Sequence, residues 1–268
     1  MLDLEFAELS HQGRVRSNNE DSLGHVLPMG PAQVQSQGWF FAIADGMGGH
    51  EYGEVASRLA VQTALEGFRK MPRGVMHVSL LPRLVQEANA AVYDAGRAAG
   101  QDGAGKAMGT TFVACALRFD SAVVSHVGDS RCYLFRNGNG TQLTRDHTMA
   151  EEQVRLGILS KEEAASNDGR HLLTRSLGSE LFVAADTMTV NVLPGDILLL
   201  CTDGLHGSVP DKVILQTILQ HSRLEATAQA LIQAANDAGG PDNISVQLIR
   251  VKSVERMGLY RGRPYRLL

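Results

Sequence analysis

The segment Ala44-Asp45-Gly46-Met47-Gly48-Gly49-His50 sets an aspartate beside three glycines within four positions, directly after the apolar run Trp39–Ile43. Glycine tolerates backbone angles that other residues resist, so such a turn lets carbonyls and amides approach a ligand closely. A carboxylate together with backbone oxygen is the donor set that a hard cation takes. Alone, the segment reads equally well as a Gly-rich turn with a capping Asp. Two further apolar runs carry aspartates at their edges, in Leu198-Leu199-Leu200-Cys201-Thr202-Asp203-Gly204 and in Gly239-Gly240-Pro241-Asp242-Asn243-Ile244. A fourth lies in Val127-Gly128-Asp129-Ser130-Arg131, where an Asp-Ser hairpin turn is an adequate explanation by itself. Adjacent strands lie about 4.8 Å apart, so four strand-edge aspartates at one end of antiparallel sheets converge. Buried carboxylates repel one another unless cations fill the space between them. All-oxygen ligation favours Mg²⁺ or Mn²⁺ over zinc.

Near the N-terminus, Gly13-Arg14-Val15-Arg16-Ser17-Asn18-Asn19-Glu20-Asp21 combines a guanidinium with amides and carboxylates. The planar fork of Arg16 suits a phosphate, and Glu20 and Asp21 can hold water around a cation. In isolation this stretch reads as a solvated charged loop. His147 and His171 fall in a polar stretch and receive no role, since a lone loop histidine is usually only solvated.

The elements that must position these residues follow from pattern and punctuation. Short β-rich runs occur at 6–11, 39–44, 110–117, 122–127, 132–135, 184–192, 197–201 and 244–251, bounded by Gly, Asn and Asp. Helical periodicity is confined to 54–69, 79–98 and 223–237, with shorter pieces at 149–156 and 211–219. Pro82 fits the first turn of the second of these helices. Strands cluster in sequence instead of alternating with helices, which predicts an α+β fold, a central antiparallel β-sandwich flanked by helices on both sides. Residues 145–180 are too polar for core and too long for a simple turn, and read as a mobile flap beside a site.

At 268 residues, 44% hydrophobic and 20% charged, the chain is an ordinary globular sequence with no repeats and no linker. A single domain over 1–251 is expected. The formal charge of −4 is uneven: residues 252–268 hold five basic residues against Glu255, a net of +4, so the body carries −8. An acidic body argues against nucleic acid, and no apolar run approaches the 18–20 residues that span a bilayer. Cys115, Cys132 and Cys201 lie in apolar runs without ligand spacing and read as buried reduced thiols of a cytoplasmic protein. The basic tail reads as a floppy solubilising end, and Met71, Met76 and Met108 as core or edge filler.

Seven short motifs occur in one order: Arg16-x-x-Asn19-Glu20-Asp21, Asp45-Gly46-Met47-Gly48-Gly49-His50, Gly109-Thr110-Thr111, Val127-Gly128-Asp129-Ser130-Arg131, Leu143-Thr144-Arg145-Asp146-His147, Thr202-Asp203-Gly204-Leu205 and Asp242-Asn243. Over about residues 4–251 the chain resembles the PPM family, the metal-dependent protein serine/threonine phosphatases of type 2C, and looks like a bacterial-type member. The resemblance implies two Mn²⁺ or Mg²⁺ ions bridged by Asp45. It gives the Gly46 carbonyl to one ion and Asp203 with Asp242 to the other, and puts a weaker third position at Asp129 with Asp203. It makes Arg16 the phosphate binder, with Glu20 and Asp21 acting through bound water and Asn243, Thr202 and His50 as supports. It implies hydrolysis of phosphoserine and phosphothreonine proteins, opposite a Ser/Thr kinase, by a monomeric enzyme.

The implied mechanism is direct in-line attack by a water or hydroxide that bridges the cations, with no covalent intermediate. Many eukaryotic relatives carry a proton-donating histidine where this chain has Met47, which cannot donate. Bound water or His50 then remains as donor, and His50 reads more readily as a structural histidine. Two other classes stay open: a pseudophosphatase, opposed by the presence of Asp45, Asp203 and Asp242, and a two-metal nuclease or small-molecule phosphohydrolase, opposed by the acidic body and the motif order.

Overall fold

The computed structural model describes residues 1–47, 52–72, 74–100, 108–165, 167–255, 257–260 and 263–266. Two antiparallel sheets face each other. One runs in the order β1 (Asp3–His11), β11 (Ile244–Ser253), β10 (Ile197–Cys201), β7 (Arg131–Arg136), β8 (Asn139–Gln142). The other runs β2 (Asp21–Val26), β3 (Trp39–Met47), β5 (Phe112–Arg118), β6 (Ser121–Val127), β9 (Asp186–Asn191), with the short β4 (Gly109–Thr110) paired to the end of β3. Helices α2 (Gly53–Arg69) and α3 (His77–Ala98) cover the second sheet, and α7 (Asp211–Gln220) and α8 (Leu224–Asp237) cover the first.

Period-2 alternation divides the apolar residues among three interiors. Phe41, Ile43, Val113, Cys115, Leu198 and Ile249 point between the sheets. Phe40, Ala42, Phe112 and Ala114 point to α2 and α3, where Phe68 stacks on Phe40 at 4.5 Å. Leu199, Cys201, Val246 and Leu248 meet Leu224 and Leu231 of α8. Burying each large side chain contributes about 1.5–3 kcal/mol, which keeps the four layers in fixed register.

Several details differ from the sequence reading. The chain from β6 to β7 is no hairpin: Asp129 lies where it passes from one sheet to the other. Strand β3 continues through Asp45 and Gly46 to Met47, pairing Asp45 with Asp21 and Gly46 with Thr110. Pro82 lies inside α3, which begins at His77, and not in its first turn. The region 145–180 contains α4 (Met149–Arg155), α5 (Lys161–Ala165) and a 3-10 turn at Asp168–His171. It is tied down by bridges Thr148–Leu173 and Thr110–Leu177, with Leu177 fully buried. Strands β2 and β8 and helices α1 (Pro31–Ser36), α5 and α6 (Asp203–His206) carry no apolar period and went unpredicted. In the tail, β12 (Met257–Tyr260) pairs with β13 (Arg263–Arg266), where a floppy end was expected.

Candidate metal centre

Strand direction brings the aspartates together. β3 and β6 run the same way through their shared neighbour β5, so Asp45 and Asp129 lie at one edge of their sheet. β10 and β11 are antiparallel, so Asp203, just after β10, lies beside Asp242, just before β11. All four line one cavity of about 960 Å³, together with Gly46 and Arg16. Glu20 and Asn243 line it as well. Asp21 is not among the lining residues but is the ladder partner of Asp45, and His50 falls outside the described residues.

Two glycines permit this closeness. A Cβ on Gly46 would sit 2.1 Å from the Gly53 carbonyl oxygen at the start of α2. A Cβ on Gly204 would sit 1.9 Å from the Asn243 carbonyl oxygen, so the single turn α6 lies directly on the Asp242-Asn243 segment. The backbone around Asp45 is fixed from both sides. Thr111 Oγ1 accepts from the Asp45 N–H at 2.9 Å, and Thr110 Oγ1 donates to the Asp45 carbonyl at 2.7 Å.

The electrostatics are those of carboxylates lacking counter-charge. Burial, then the charges of Asp21, Asp203 and Asp129, raises the Asp45 carboxyl well above the ordinary range. Burial and the Asp242 charge raise Asp203. Asp129 is pushed up to about 8 by burial and then by Asp203. Asp21 is pushed up to about 7 by burial, although Thr202 Oγ1 donates to its Oδ2 at 2.9 Å. Among the described residues, Asp21 Oδ1 and Asp203 Oδ1 are buried without a hydrogen-bond partner.

Arg16 projects from the β1–β2 loop with its side chain more than half exposed, and its Nη2 donates to Asp242 Oδ2 at 2.6 Å. That bond also raises the Arg16 pKa. Asn243 secures the loop: its Nδ2 donates to the carbonyls of Gln12 and Asn18, both at 2.8 Å, and its Oδ1 accepts from the Glu20 N–H at 2.8 Å.

The Protein phosphatase 2C family model matches residues 10–248. The chain belongs to the protein phosphatase 2C family. It is 35% identical over 255 residues to the serine/threonine phosphatase stp of Listeria innocua, covering 94% of this chain and 96% of the relative. The Mycobacterium tuberculosis serine/threonine phosphatase PstP/Ppp superposes with a TM-score of 0.80 at 34% identity, covering 94% of this chain and all of that one. The catalytic domain of serine threonine protein phosphatase PstP in complex with two manganese ions gives a TM-score of 0.79, again at 34% identity and with the same coverage.

A metal-dependent 2C family implies divalent ions, and the residues present fit them. The donor set is oxygen only, the carboxyls are driven towards protonation by crowding and burial, and two buried oxygens have no partner among the described residues. Sequence reasoning missed the supports that come from other elements. His206 of α6 donates from Nε2 to the Asp129 carbonyl at 3.0 Å, and Ser57 of α2 donates to the Glu20 carbonyl at 2.6 Å. Neither carries a local signal in the sequence.

A second cluster of metal-ligand types lies nearby, and His147, expected to be solvated, is fully buried in it. The ring of His147 stacks on His126 at 4.7 Å and 18°. Its Nδ1 accepts from the Gly128 N–H at 3.2 Å, and its Nε2 is 3.4 Å from Asp186 Oδ2. Arg175 donates to Asp186 Oδ1 at 2.9 Å, and His126 Nε2 donates to the Arg145 carbonyl at 2.8 Å. His147 Nδ1 and His126 Nε2 already have backbone partners, and Arg175 already supplies positive charge to Asp186. We describe this cluster as a clasp holding the 145–186 region to the sheet edge.

Proposed function

We propose that this chain is a metal-dependent protein serine/threonine phosphatase whose working residues are those of the carboxylate cavity. The observation that carries the reading is the convergence of Asp45, Asp129, Asp203 and Asp242, with buried oxygens unpartnered, beside an exposed arginine. Asp45, the Gly46 carbonyl, Asp203 and Asp242 would hold two Mn²⁺ or Mg²⁺ ions, with Asp129 and Asp203 at a weaker third position. Bound there, such ions supply Lewis acidity, lowering the pKa of water and neutralising phosphoryl charge.

The chain's own residues do the rest. Arg16, held at the cavity rim by Asp242, presents its remaining N–H groups to the phosphoryl oxygens. Asn243 holds the loop that carries Arg16, so the guanidinium is positioned before substrate arrives. Asp21, anchored by Thr202, and Glu20 would hold water around such cations. The three thiols are buried and carry no chemistry.

We assign residues 1–251 to the phosphatase unit, with 145–180 as its flap and 252–268 as a tail whose first two residues complete β11. Substrates are phosphoproteins made by a Ser/Thr kinase. Reduced buried cysteines suit a cytoplasmic protein, and we take the chain to act as a monomer. No helix among the described residues is long and apolar enough to cross a membrane. The test is release of phosphate from a phosphothreonine peptide with Mn²⁺. Activity is expected to vanish on chelation and to survive removal of residues 253–268, and activity that survives chelation contradicts the reading.

A further inference from the structure

Met47 lines the cavity, and its thioether has no proton to give. Several other polar groups there are already engaged. Arg16 is paired with Asp242, Asn18 Nδ2 donates to Glu54, and Thr111 Oγ1 bonds both the Asp45 N–H and Ser130. Among the described residues, His171 is the one imidazole lining this cavity. It also lines the adjoining groove of about 750 Å³, which shares Asp129 and Asp203 with the cavity, so it lies where the two spaces meet.

The backbone that carries His171 is held in place, and its side chain is exposed. It closes the 3-10 turn Asp168–His171, whose start is capped by Asn167 Oδ1 accepting from the Gly169 N–H at 2.7 Å. The next residues are pinned as well: the Leu172 carbonyl accepts from Met149 at 2.8 Å, and Leu173 bridges Thr148. Arg170 Nε donates to His171 Nε2 at 2.8 Å, which leaves the imidazole proton on Nδ1. An imidazole N–H held in one orientation can donate its proton to a developing oxyanion.

We propose that His171, positioned by Arg170, is the group that protonates the departing serine or threonine oxygen. This rests on the phosphatase reading above and deepens it. Water oxygen forms a bond to phosphorus while the bond from phosphorus to the ester oxygen breaks, and its electron pair stays on that oxygen. The Nδ1 proton passes to the same oxygen and yields a neutral hydroxyl. The attacking water releases one proton to solvent, and solvent returns one to Nδ1. The sum is ester phosphate plus water giving alcohol plus hydrogen phosphate.

An alkyl oxygen needs such a donor, whereas a nitrophenolate leaves without one. In His171→Leu, kcat/KM for a phosphothreonine peptide is therefore expected to fall by on the order of 10²-fold. For p-nitrophenyl phosphate the fall should be at least tenfold smaller, and His171→Gln, which keeps an N–H donor, should recover part of the peptide rate. In the Mg²⁺-loaded protein, ¹⁵N spectra of the labelled imidazole should report the proton on Nδ1. Equal losses on both substrates, no loss on either, or a proton on Nε2 overturns the proposal alone. A wild-type chain inactive on the peptide with Mn²⁺ overturns the phosphatase reading and this proposal with it.

Discussion

The carboxylate cavity and the His126–His147–Asp186 clasp are both built from residue types that can ligate a metal, yet they differ in whether those groups are satisfied. In the clasp each named group has a protein partner: Gly128 serves His147, Arg145 serves His126, and Arg175 serves Asp186. Burial keeps both rings neutral, with the His147 pKa pushed down to about 4 and that of His126 also lowered. In the cavity the carboxyls press against one another, and Asp21 Oδ1 and Asp203 Oδ1 have no partner among the described residues. A set of ligand types does not mark a metal site. An unmet need for positive charge does.

The sharpest break of this contrast is Asp203→Asn. It should lower Mn²⁺-dependent phosphate release by on the order of 10³-fold or more and remove one manganese from the stoichiometry measured by calorimetry. In the clasp, His147→Ala should cost about 2–4 kcal/mol of stability in urea, since it strips partners from Gly128 and Asp186, while the manganese stoichiometry stays at that of the parent chain. Arg16→Ala should lower kcat/KM about 30-fold, mainly through KM, without weakening manganese binding, because it removes a phosphate fork and no ligand. An equal loss of manganese affinity would place Arg16 with the ligands.

The smallest effect is a pH dependence remote from both regions. Burial, and then the Arg118 charge, pushes the His77 pKa down to about 4 from 6.5. The unfolded chain takes up this proton near pH 6.5 and the folded one near pH 4. The stability contributed by the neutral ring is therefore complete above about pH 6.5 and is lost as the pH falls towards 4, on the order of 2–3 kcal/mol. Melting temperatures across that window should drop in the parent chain and drop less in His77→Gln.

The layers of the fold were legible because they rest on apolar period: β3, β5, β6 and β10 and helices α2, α3 and α8 all announce themselves. β2 did not, since Asp21-Ser22-Leu23-Gly24-His25 is half-buried throughout, only Val26 is buried, and there is no alternation. β8 is a four-residue exposed edge. The acidic members of the site were legible because each follows or precedes an apolar strand beside glycine. The links among them were not. That Asn243 clamps the Arg16 loop, that His206 holds Asp129 and that His171 reaches the cavity depend on contacts between distant segments, which one-dimensional spacing does not encode. The Asp129 turn misled for the same reason, because a hairpin and a crossing between sheets look alike in sequence.

Manganese anomalous scattering from crystals of the intact chain tests the central claim most directly. The account predicts two strong peaks in the cavity, both within about 2.0–2.6 Å of Asp45 oxygens, with Asp203 and Asp242 completing the coordination. Peaks confined to the His126–His147–Asp186 clasp, or none within reach of Asp45, would contradict it.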